Sequence, residues 1–71
     1  MPNPNSGEFV VELSSGLIKN VTVYDLMGRQ ILQKVTDNDR IFVDITSFAS
    51  GIYYVKVQTE TNFKVIKVVK Q

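Results

Sequence analysis

The feature that most limits what this chain can fold into is the run Asp44-Ile45-Thr46-Ser47-Phe48-Ala49-Ser50-Gly51-Ile52-Tyr53-Tyr54-Val55-Lys56-Val57. After Gly51, Tyr53, Val55 and Val57 fall on one side of an extended backbone, with Tyr54, Lys56 and Gln58 on the other. Side chains of a strand alternate between faces, so this period of two describes a half-buried strand. Before the loop, Ile41, Val43 and Ile45 alternate with Phe42 and Asp44 in the same way. Ser47, Ala49, Ser50 and Gly51 are small or turn-prone, which lets the chain cross closely from one strand to the next. Phe48 is the exception and reads as a plug tucked under the sheet. Two strands joined by such a corner commit the chain to a small β-domain.

The rest of the chain repeats the pattern. Phe9, Val11 and Leu13 alternate with Glu8, Val10 and Glu12, giving a first strand with one wet face that Ser14-Ser15-Gly16 breaks. Val21 and Val23 alternate with Thr22 and Tyr24 in a second strand, whose start reaches back toward Ile18. Asp25-Leu26-Met27-Gly28-Arg29 has hairpin chemistry, with Gly28 available for a positive φ. Residues 31–35 form the returning strand and residues 36–40 a second polar turn. Residues 41–45 and 52–58 are the fourth and fifth strands, and residues 59–62 a hairpin turn.

The last run, residues 63–70, sets Val65-Ile66 and Val68-Val69 between lysines, a spacing that fits a helix as well as a strand. Four β-branched residues disfavour a helix by about 0.5 kcal/mol each. The run is therefore read as a strand buried on parts of both faces, with room for a bulge. Six strands spaced by about 8–12 residues describe an antiparallel sandwich or barrel.

Composition bounds the function. A chain of 71 residues allows one domain with a modest core, because one this short buries only about 60% of its unfolded surface. Valine, isoleucine and threonine supply 22 of the residues, again pointing to strands. There is no cysteine for a disulfide or thiolate site, and no histidine, the commonest general base and metal ligand. A nucleophile would have to be a lysine-activated hydroxyl, and no serine sits in a Gly-x-Ser-x-Gly elbow. Ser47 and Ser50 read as turn residues. Asp37-Asn38-Asp39 resembles the start of a calcium loop but lacks its glycine and closing glutamate, so it reads as a polar hairpin turn. No catalytic residue, cofactor or metal site is expected. Tyr24, Phe42, Tyr53 and Tyr54 could make a sugar platform, but the alternation buries Tyr53, and packing accounts for the set.

Charge is uneven. Residues 1–55 carry net −2, whereas residues 56–71 carry Lys56, Lys64, Lys67 and Lys70 against Glu60, net +3. That basic end is too sparse for nucleic acid. Lysines on an edge strand guard against aggregation; they can equally dock a partner by charge or by strand addition. No apolar run approaches the roughly 18 residues of a membrane span, and no signal peptide opens the chain. Met1 directly before Pro-Asn-Pro reads as an initiator set at a domain boundary, with a longer protein expected upstream.

Several stretches together resemble one family. Residues 45–53 are similar to the Leu-x-x-Leu-x-x-Gly-x-Tyr corner of type A C-terminal sorting domains of the type IX (Por) secretion system. Ile45 and Phe48 stand at the leucines, and Gly51 and Tyr53 match. Ala49 stands where a proline is frequent. The opening Pro2-Asn3-Pro4-Asn5-Ser6-Gly7 resembles the family's Pro-Asn-Pro lead-in, and Val21-Thr22-Val23-Tyr24-Asp25-Leu26-Met27-Gly28-Arg29 its Val-Tyr-Asp-x-x-Gly hairpin. With the lysine-rich last strand, four landmarks stand in the family's order.

The resemblance implies a small antiparallel immunoglobulin-like sandwich of six to seven strands. Any seventh strand would lie near the N-terminal linker or residues 36–40. Residues 1–7 would be the linker and residues 8–71 the sorting domain. It implies a signal that carries a fused N-terminal cargo through the periplasm and the outer-membrane translocon to the surface or medium, followed by removal by a sortase. The implied partners are the translocon and its outer-membrane shuttle and sortase proteins, with Lys64, Lys67, Val68, Val69 and Lys70 as recognition residues. Pro2, Asn3, Pro4, Gly28, Phe48, Gly51 and Tyr53 would be the structural motif. An unpaired edge strand would also offer self-association. The competing expectation is a fibronectin-like adhesion or carbohydrate-binding module.

Overall fold

Alternating patterns carry the chain into six strands: β1 (Glu8–Glu12), β2 (Ile18–Asp25), β3 (Gln30–Asn38), β4 (Arg40–Asp44), β5 (Gly51–Gln58) and β6 (Phe63–Lys70). The computed structural model describes residues 6–71, among which there is no helix. Pro2, Asn3 and Pro4, and with them most of the expected linker, lie outside the described residues. The strands form an antiparallel four-stranded sheet in the order β3-β2-β5-β6 and an antiparallel two-stranded sheet of β1 and β4.

The core lies where the two sheets face each other. Val11 and Val43 come from the small sheet; Val21, Val23, Tyr53, Val55, Val57 and Val68 come from the large one. Ile18 and Ile45 seal the ends, both fully buried. Phe9, Leu13, Leu32, Ile41 and Phe48 pack around this cluster, half-buried. The result is an all-β, immunoglobulin-like sandwich with six strands among the described residues.

Two expectations need correction. Residues 36–40 are not a hairpin turn: β3 continues to Asn38, paired with Ile18, and Asp39 alone separates it from β4. β3 and β4 belong to different sheets, so Asp39 is a crossing point, fixed by the Leu13 N–H donating to its carbonyl at 2.8 Å. The polar residues there mark an exposed edge strand. A register shift between Ile18 and Asn20 absorbs one extra residue of β3, and Lys19 bonds Asp37 across it.

The second correction concerns β6. It pairs with β5 from Phe63 against Gln58 to Lys70 against Gly51 without any register shift. It has no bulge, and Val68 is its one buried residue. Its other apolar residues are exposed or half-buried because no described strand lies on its far side.

Candidate functional site

The corner between β4 and β5 is held at both ends by side chains from the flanking strands. The Asp44 carboxylate accepts the Thr46 N–H at 2.9 Å and the Thr46 hydroxyl at 2.7 Å. Those two bonds, assisted by the Lys34 charge, hold the carboxyl below its ordinary value. The Phe48 N–H closes the turn on the Ile45 carbonyl at 3.0 Å. At the far end the Tyr53 hydroxyl donates to the Ala49 carbonyl at 2.5 Å while its ring sits in the core. Gly51 has φ of +148° and open space around a would-be Cβ, so it serves a backbone conformation and not a close approach. Phe48 is half-buried and packs against the core.

Sequence reasoning missed Gly7. Its carbonyl accepts the Ile45 N–H at 2.8 Å, and its φ is +110°. A Cβ there would stand 3.1 Å from the Thr46 backbone and 2.9 Å from Lys70 Cε. The residue is buried. A glycine just before the first alternating strand was the available signal, and reading residues 1–7 as linker masked it. Consequently the start of β1, the corner and the end of β6 share one end of the sandwich.

At the same end, the β2–β3 hairpin is organised by Asp25. Its carboxylate accepts the Arg29 N–H at 2.9 Å, the Met27 N–H at 3.0 Å and the Arg29 Nε at 2.9 Å. The Arg29 backbone bond is the largest cause holding this carboxyl below its ordinary value. Gly28, with φ of +86°, turns the loop. Leu26 and Met27 stand exposed at its tip.

The register of β6 divides the expected recognition residues. Lys64, Ile66, Val68 and Lys70 oppose Val57, Val55, Tyr53 and Gly51, and so lie on the face turned toward the small sheet. Phe63, Val65, Lys67 and Val69 lie on the outer face. Lys64 and Lys67 are exposed, Val69 and Lys70 half-buried, and Val68 buried in the core. The structure thus places Lys64 and Lys70 on one face and Lys67 on the other, and does not gather the three lysines into one patch.

The aromatic set also separates. Tyr24 and Tyr54 are direct cross-strand neighbours on the outer face of the large sheet, with Lys67 next in the row. Tyr53 is buried, and Phe42 lies on the small sheet opposite Val10. Among the described residues no group of three acidic, His or Cys side chains is placed to hold a metal ion. Nor is any helix long and apolar enough to cross a membrane.

A family model described as "Secretion system C-terminal sorting domain" matches residues 1–71, the whole chain. No curated protein matches the chain.

Proposed function

Because the chain belongs to the secretion system C-terminal sorting domain family, the signal of type IX export to the surface or medium, we propose that it works as an address read at β6. In this reading residues 8–71 are the folded address and residues 1–7 lead into it from an upstream cargo, with Gly7 already bonded to the corner. The cargo reaches the periplasm, and the domain presents Lys64, Lys67, Val69 and Lys70 to outer-membrane shuttle and translocon proteins. Val68 acts from beneath by anchoring the strand. A sortase then removes the domain. The domain contributes no chemistry of its own.

The observation that carries this reading is β6 itself. A strand that leaves Phe63, Val65 and Ile66 exposed, and which carries three lysines and no carboxylate, is available to a partner without unfolding anything. The adhesion or carbohydrate-binding alternative needs a row of exposed aromatics, and only Tyr24 and Tyr54 are neighbours. The test is export of a reporter fused ahead of residues 1–71, in cells with and without a working type IX translocon. Translocon-dependent appearance outside the cell supports the reading; export that ignores the translocon overturns it.

A further inference from the structure

We propose that the free edge of β6 takes one extended segment of the secretion machinery as a seventh strand, with apolar residues facing inward and acidic residues facing outward. The partner's identity rests on the sorting role above, whereas the groove does not.

Three observations converge on this edge. β6 is last in the order β3-β2-β5-β6, and β5 occupies only one of its sides. In an antiparallel strand alternate residues turn both N–H and C=O to the same side, so half of β6 presents its backbone away from β5. Among the described residues no backbone bond outside the β5 ladder meets β6. Unpaired strand edges are templates for another extended backbone.

Below the edge, the small sheet is too narrow to cover the large one. It leaves a cleft of about 780 Å³ lined by Val11, Leu13, Leu17, Val57, Phe63 and Ile66, among others. Leu17, Phe63 and Ile66 are 45%, 62% and 40% exposed. A strand added to β6 would drop alternate side chains into this cleft. The lining favours apolar side chains there, because Val11, Leu13, Leu17 and Ile66 supply apolar surface, while Lys19 and Lys64 balance Glu12 and Glu60 and leave no net charge to select an acidic one.

The remaining side chains would continue the outer face of the large sheet. The outward residues of β2, β5 and β6 include Lys56 and Lys67 and no carboxylate. Lys67 is on β6 itself, next to the added strand, whereas Lys56 is one strand further in, with its Nζ 4.8 Å from the Phe63 ring centre. Carboxylates on the outward positions of the guest would find these cations.

The experiment uses an eight-residue capped peptide alternating valine and glutamate, matched to the length of β6. A lysine-for-glutamate peptide and one with prolines at two central positions serve as controls. In amide NMR titrations the acidic peptide should shift the β6 signals and those of residues 11–17, and slow hydrogen exchange at alternate β6 amides. Both controls should bind at least about tenfold more weakly, since one loses the charge match and the other the ladder. Leu17→Glu, in a loop outside the strands, should abolish the shifts at an unchanged melting temperature. Absence of shifts, equal binding of the proline peptide, or shifts centred on Tyr24 and Tyr54 overturns the proposal. So do β6 shifts that grow with protein concentration alone, which would make the occupant a second copy. In cells, the Leu17→Glu reporter should be exported several-fold less than its parent. Equal export removes the cleft from the mechanism but leaves the sorting role standing. A parent that is not exported counts against the sorting role, and the peptide titration then decides the groove by itself.

Discussion

β5 and β6 are equal in length, paired along all of it and similarly rich in β-branched and aromatic residues. Yet β5 buries Tyr53, Val55 and Val57, while β6 buries Val68 alone. The difference lies in what surrounds them. β5 has a strand on each side, whereas β6 ends the sheet with a cleft beneath it. Apolar residues in a strand stabilise a fold only when something covers them. The apolar surface of β6 therefore contributes less to this chain's own core than its composition suggests, and more of it is available to a partner.

The largest expected effect contrasts these strands directly. Tyr53→Ala should cost about 3 kcal/mol or more by loss of a buried aromatic ring. Val65→Ala, 53% exposed, should stay within about 0.5 kcal/mol. Urea unfolding of both variants checks this, and equal losses would break the contrast. Tyr53→Phe, which removes only the hydroxyl bond to Ala49, should cost about 1 kcal/mol.

Next in size are the glycines at the corner end. Gly51→Val should cost roughly 1–3 kcal/mol, because a β-branched residue is strained at that positive φ. Gly7→Ala should lower the melting temperature more than Gly51→Ala, since strain there is joined by contact with the Thr46 backbone. The reverse order would mean that Gly7 yields by a small local shift.

A smaller effect appears in acid. Asp25 and Asp44 titrate below their ordinary value in the folded chain. Their contribution is therefore present above the unfolded value of about 3.9 and is lost as pH falls through the folded value. Replacing both with Asn should lower stability at neutral pH and flatten its decline between about pH 5 and 2. Melting temperatures across that range test it; parallel curves for parent and variant would show that other carboxylates govern acid unfolding. β6 has no carboxylate and takes no part in this loss.

The smallest effect on folding belongs to Lys64→Glu, Lys67→Glu and Lys70→Glu combined. Lys64 and Lys67 are exposed and Lys70 is half-buried with its stem beside Gly7. Surface charges contribute little, so the melting temperature should move only slightly, mainly through Lys70, while reporter export is lost. Single variants sharpen the point, because Lys67 alone reports on the outer face and Lys64 on the cleft side. Normal export by the folded triple variant would leave these lysines as guards of a strand edge.

Strand existence was legible wherever one face is buried, as in β1, β2, β4 and β5, because burial imposes the period of two. It failed where burial does not discriminate. Residues 36–38 are polar on an exposed edge and mimic a turn; residues 63–70, apolar on both faces because neither is fully covered, were still legible as a strand, and only the bulge was not found. The corner was legible through Gly51 and Tyr53, whose roles are local. Gly7 was not, since its constraint comes from Thr46 and Lys70, far away in the chain. Which lysines share a face follows from pairing with β5, and the period of two already contained that answer.

The contact of Gly7 with Thr46 and the Lys70 stem has a mechanical consequence. Gly7, just ahead of β1, and Lys70, the last residue of β6, sit at the same end of the sandwich, so tension between them opens strands from one end. Antiparallel bonds perpendicular to the strands then rupture in succession, one at a time, and not as a group in shear. Pulled by residues 7 and 70, the domain should unzip at low force, and a single-molecule extension experiment would register many small yields in place of one large break. Pulled by residues 7 and 62, at opposite ends, it should resist.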